Sequence, residues 1–210
     1  MIGAPAAVPR ARLLSGKANG WSLVDSIVTL AVLGLLVSGT TAIAGRVVLD
    51  ARTAAAAREF AVLFQALRWK SVSENRTVGL FFERSEGGWQ WWEVSDRNGN
   101  GLRTAEVRDG TDAKESGPHR LETTHRGVHF GFPKGQTIPA IPPNSGTMNE
   151  NDPVRFGRAD LVSFSPRGRS SSGTLFITDG NHRLYGVRLY GVSTRIRVWR
   201  WDDREMLWRR

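Results

Sequence analysis

Three groups of residues in this chain have types and spacing that could do chemistry. Asp96-Arg97-Asn98-Gly99-Asn100-Gly101 puts oxygen-bearing side chains at positions 1, 3 and 5 and glycine at 6, the first half of an EF-hand-type calcium loop. The second half does not follow: Val107 stands at position 12, where a bidentate glutamate is required, Glu106 or Asp109 could substitute only with a different loop path, and two of the three ligands are neutral asparagines. Asx-turns and Asn-Gly geometry account for the same residues as a hairpin loop. Both readings stay open, and no cofactor other than this candidate calcium ion is expected. The second group is Arg195, Arg197 and Arg200, set among Trp199 and Trp201. Phosphate contacts and base stacking call for such a mixture, which makes DNA a candidate partner. Alternation places Arg195 and Arg197 on one strand face, as a solvent-facing edge strand would also do. The third is Asp25, a lone carboxylate at the head of an uncharged run that lasts until Arg46. A carboxylate there is costly unless it has a partner.

Catalysis has no visible seat. His119, His125, His129 and His182 lack metal-ligand spacing, and no nucleophile elbow, phosphate-binding loop or paired carboxylates stand out. The chain has no cysteine, which excludes disulfides, thiol catalysis and thiolate metal sites. An enzyme is not expected. The net charge of +9, carried mostly by arginine, favours anionic partners, although well-mixed acidic residues equally describe a solvated surface.

These residues need elements to hold them. Residues 26–45 form a run of twenty without charge, long enough as a helix to span about 30 Å, the thickness of a bilayer core. The run then turns amphipathic, with Val47, Val48, Ala51, Ala54, Ala55, Phe60, Phe64 and Leu67 near helical spacing. One helix from Trp21 to about Ser73 is expected. Strands follow: 77–84 and 89–94 as a hairpin, then 126–132, 161–164, 174–178, 184–190 and 195–201. Residues 108–125 read as a polar surface loop, and 133–158, rich in glycine, proline and asparagine, as a long loop of the kind that is functional or mobile. The expected class is α+β: a long N-terminal α-helix, transmembrane in its first half, packed on a C-terminal antiparallel β-sheet domain.

A basic segment ending in Gly20, the large aromatic Trp21, an acid at Asp25 and an uninterrupted apolar helix resemble the type IV pilin-like signal cut by prepilin peptidase. The C-terminal order Phe164-Ser165-Pro166-Arg167-Gly168, Ser172-Gly173-Thr174-Leu175 and Arg195-Ile196-Arg197-Val198 is similar to minor pseudopilin H of type II secretion and the related minor pilin T. The resemblance implies a leader over residues 1–20, cleavage between Gly20 and Trp21, and N-methylation of the new terminus. It implies a long helix over 21–74, transmembrane at about 26–45, and a β-rich domain over 75–210. It also implies that Asp25 pairs with the N-terminal amine of a neighbouring subunit. The implied partners are prepilin peptidase, other pilins or pseudopilins in a filament, and the membrane. DNA joins them through the arginine-rich strand, since some pilin T relatives take up DNA through a C-terminal arginine pair. The implied location is a bacterial inner membrane, single-pass, with the β-rich domain periplasmic or extracellular.

Overall fold

The computed structural model describes residues 22–157 and 159–210, with backbone alone for 36–44. Residues 1–20 and Trp21, including the expected cleavage site, lie outside the described residues. The chain divides into two compact units, Met1–Ile43 and Ala44–Arg210.

Helix α1 runs Leu23–Ser73. No glycine or proline interrupts it after Gly45, and the alanines at 54–57 favour it intrinsically. It ends where Asn75 turns left-handed (φ 50°), while Arg76 N–H reaches back to the Ser71 carbonyl and satisfies an otherwise orphaned acceptor.

The expected transmembrane first half, and with it the single-pass place in a bacterial inner membrane, is overturned. No helix of the described residues is long and apolar enough to cross a membrane. A span needs about 20 residues, and from Arg46 onward charges recur: Asp50, Arg52, Arg58 and Glu59.

In the second unit, α1 buries Thr53, Ala56, Ala57, Phe60, Phe64, Leu67 and Ser71, a stripe at three- and four-residue spacing. The expected stripe holds only toward its C-terminal end, and Ala54 is half-buried at its margin. Phe60, Phe64 and Leu67 are in it, whereas Val47, Val48, Ala51 and Ala55 face outward. Four identical alanines cannot set a helical phase by themselves; contact with the sheets does so by choosing Ala56 and Ala57.

Two antiparallel sheets face this stripe. The first holds β1 (Val78–Ser85), β2 (Gly88–Ser95), β3 (Ala113–Arg120) and β6 (Leu161–Phe164) in the order β3-β2-β1-β6. The second holds β7 (Gly173–Thr178), β8 (Leu184–Tyr190), β9 (Arg195–Asp202) and β10 (Leu207–Arg209) in the order β10-β9-β8-β7. The short strands β4 (His129–Phe130) and β5 (Val154–Phe156) both pair with β7. Close packing forces some residue choices: a Cβ on Gly79 would sit 1.9 Å from the Val162 carbonyl oxygen of the neighbouring strand.

Phe60 is the hub of the shared core. Its ring meets Trp91 at 5.1 Å and Phe130 at 5.3 Å, both edge-on, the geometry that aromatic quadrupoles favour. Around it lie Leu80, Phe82, Val162, Phe164, Leu175, Ile177, Val187 and Leu189, drawn from both sheets.

Each sheet also covers its outer face. On the first sheet, the short helices α2 (Thr104–Asp109) and α3 (Leu121–Thr124) flank β3, and Val107 of α2 buries against Phe81, Trp92, Val94 and Leu161. On the second, residues 133–153 fold back so that Ile138 and Ile141 cluster with Phe132, Phe176, Leu184, Trp199, Trp201 and Trp208. The long loop expected to be functional or mobile is thus a lid with its own core. Strand β3 falls inside the expected surface loop 108–125: seven of its eight residues are exposed, so it carries no apolar alternation to read.

Candidate functional site

Asp25 stands in the first turn of α1 and closes a capping box. Its Oδ2 accepts a hydrogen bond from Ser22 N–H at 3.3 Å, and Ser22 Oγ accepts one from Val24 N–H at 3.3 Å. The Ser22 carbonyl accepts from Ser26 N–H at 3.2 Å, the first bond of the helix. A carboxylate in a first turn also meets the positive end of the helix dipole. Ser22-Leu23-Val24-Asp25 carries this signal in the sequence, a capping serine with an acid three residues on. Gly20 and Trp21 lie outside the described residues.

Asp96 is buried at the end of β2, and its carboxylate organises the loop after it. Oδ1 accepts from Asn98 N–H (3.1 Å) and Gly99 N–H (2.7 Å), and Oδ2 from Gly101 N–H (2.7 Å). Asn98 and Asn100 donate their side-chain amides to the two oxygens of Glu106, at 2.9 and 3.0 Å, and Arg103 adds a third donor at 3.2 Å. The two asparagine bonds hold the Glu106 carboxyl below its usual range. Asp112 closes the loop by accepting from Arg97 and Arg103 N–H, and burial pushes its carboxyl up. Asp96, Asn98 and Asn100 are therefore brought together, in a cradle whose acceptors serve protein donors. Position 12 explains the arrangement: Val107 is an anchor of the outer core, and α2 presents Glu106 instead. Among the described residues no group of three or more histidine, aspartate or glutamate side chains converges as a metal site.

The three arginines of β9 are split. Trp199 and Trp201 pack into the outer cluster, while Ile196 and Val198 pack toward α1. Alternation puts Arg195 and Arg197 on the outer face and Arg200 on the other. Arg195 and Arg197 line a groove of about 430 Å³ with Pro142, Pro143, Tyr190, Ser193, Trp199 and Arg210. The Arg210 guanidinium lies over the Trp199 ring at 5.1 Å, and Arg188 lies over Tyr190 at 5.1 Å. No carboxylate lines this groove.

Arg200 instead lines a cleft of about 830 Å³ between the start of the second unit's helix and the turns after β7 and β9. There the charges compensate one another. Arg183 donates to Asp50 at 2.5 Å, which holds the Asp50 carboxyl below its usual range, and Arg209 pairs with Asp202 at 2.9 Å. Asp179 accepts three backbone N–H bonds, from Asn181, His182 and Arg183, each at 2.9 Å. The cleft's polar groups serve turn and helix packing.

The histidines do not converge. His125 bonds Glu59 at 2.6 Å and ties α3 to α1, His119 stacks on Trp91 at 5.6 Å, and His182 stands 4.0 Å from Asp203. No family model, curated protein or solved structure matches the chain, so the comparisons lend the pilin and secretion terms no support.

Proposed function

We propose that this chain is a minor subunit of a pilin-like filament and assembles through its N-terminal helix. One observation carries the reading. Leu23, Val24, Ile27, Val28, Leu30, Val32 and Leu33 are all exposed, and at 100° per residue they surround the helix. A helix that is apolar all round is a buried helix, so this segment calls for cover from other chains. Bundling with like helices supplies it. The Gly20-Trp21-Asp25 pattern supports the same reading through its resemblance to pilin-like signals, with prepilin peptidase as the processing partner.

Asp25 then has two duties, capping its own helix and pairing with a neighbour's terminal amine. In a dry bundle such a pair is strongly attractive, and an unpaired carboxylate is penalised, so it sets the register between subunits. Asp25→Asn keeps an acceptor for Ser22 N–H and loses the charge. The expected outcome is a normal helix start with crosslinking to partner pilins lost. Unchanged crosslinking in Asp25→Asn would remove the registering role. Intact-mass measurement should show loss of residues 1–20 in cells with the peptidase and retention in Gly20→Ala. An identical mass in both contradicts the reading.

A second reading, DNA binding, draws support from the groove around Arg195, Arg197 and Trp199, which has cations and rings and no lining carboxylate. It calls for duplex binding that weakens steeply with salt. Absence of a duplex shift at low salt ends it.

A further inference from the structure

Strand β9 is paired over most of its length on one side and over much less on the other. Strand β8 spans Arg195 to Arg200, whereas β10 reaches only Arg200–Asp202, and Arg210 continues its line opposite Trp199. Among the described residues no strand lies on the outer edge of Arg195–Val198. Ile196 and Val198 face the main core, yet both are only half-buried, as core residues at an uncovered edge would be.

This edge has a built surround. On the outer side is the groove of Pro142, Pro143 and Tyr190; on the helix side a second groove of about 430 Å³ is lined by Gln65, Arg68, Trp69 and the strand itself. Trp69 is 71% exposed. Neither groove is lined by a carboxylate, while Arg68, Arg195, Arg197 and Arg210 are all present. The edge of the first sheet is made differently. Strand β3 carries Pro118, which has no N–H to offer, and charges of both signs at Lys114, Glu115 and Arg120. Charged side chains alone would protect an edge. Single-sign charge flanked by an exposed indole, a tyrosine and two prolines gives an incoming strand both a backbone to pair with and side-chain seats.

We propose that the β9 edge at Arg195–Val198 receives an extended acidic segment of a partner protein as an added strand in line with β10. Charge complementarity chooses the acidic segment, and the open row of backbone groups favours a polypeptide, which can pair with both its N–H and its C=O groups, over a nucleic acid, whose phosphates can only accept from the N–H groups. The inference stands whether or not the chain enters a filament.

The test uses the full chain and a fluorescent peptide of about nine alternating glutamate and valine residues, long enough to cover a strand of this size. The expected result is saturable binding that falls at least about tenfold when alternate peptide nitrogens are methylated, because methylation removes the pairing N–H groups and keeps the charge. The lysine-for-glutamate peptide should not bind, and the double variant Arg195→Glu/Arg197→Glu should lose the acidic peptide and gain the lysine one. Equal binding of methylated and unmethylated peptides reduces the edge to a charged surface and overturns the proposal. Failure of the acidic peptide to bind, or binding of duplex DNA through the same arginines in its place, overturns it as well.

Discussion

The two outer faces of the sheets are closed by segments of opposite make. Residues 96–112 close the first with directed hydrogen bonds, centred on Asp96, Glu106 and Asp112, over a small cluster in which Val107 is the loop's own fully buried anchor. Residues 133–153 close the second by burying Ile138 and Ile141 against three tryptophans, with hydrogen bonds that run mainly through backbone carbonyls, such as Met148 N–H to Ile138 and Trp208 Nε1–H to Pro139, both at 2.8 Å. A polar segment is held by geometry and charge and so answers to pH. A glycine- and proline-rich one is held by volume and so answers to truncation.

That contrast can be broken at several points. The largest effect belongs to the apolar lid: Trp201→Ala should cost about 3–5 kcal/mol and Ile141→Ala about 2–5, read as a fall in denaturation midpoint at unchanged slope. If Ile141→Ala is silent, the lid is not held by its core. Asp96→Ala should cost about 1–3 kcal/mol, since it leaves the amides of Asn98, Gly99 and Gly101 without their acceptor. Asp96→Asn should recover part of that loss if acceptor geometry, more than charge, holds the loop.

The acid response is smaller. The carboxyls of Glu106 and Asp50 are lowered in the folded chain, so their contribution is complete above the ordinary carboxylate range and is lost as pH falls through their folded values. Asp112 runs the other way: its carboxyl is raised, so the burden it places on the fold is relieved as the pH falls. Melting curves from pH 7 to pH 3 should therefore show Glu106→Gln with a flatter acid limb than the parent chain, while Ile141→Ala keeps the parent slope. Parallel limbs for Glu106→Gln and parent would detach the loop from pH. The smallest effect is for calcium. Millimolar calcium should move the melting temperature by less than about 1 °C, because the cradle's acceptors are committed to protein donors. A larger rise that Asp96→Ala abolishes would restore the metal reading of Asp96, Asn98 and Asn100.

Legibility in the sequence tracked burial. The hairpin of β1 and β2 was readable because β-formers flank a Gly87-Gly88 turn, and β6 to β9 because each is bounded by glycine, proline or aspartate turns. Strands β3 and β10 were not, since β3 is nearly all exposed and β10 is three residues long. The Asp96 loop is half readable: the Asx geometry can be foreseen, but not that Glu106 takes up the two asparagine amides, because that depends on Val107 being pulled into a core from another part of the chain.

Sequence alone determined the long helix, the antiparallel strands that follow and the absence of thiol chemistry, because periodicity, turn residues and composition are local properties. Tertiary structure decided which alanines face the sheets, what surrounds Arg195 and Arg197 in their groove and what the long loop does. Each depends on partners far away in the chain. It also decided the most consequential correction: an uncharged run reads as a membrane span by count, yet the described helix is not long and apolar enough to be one.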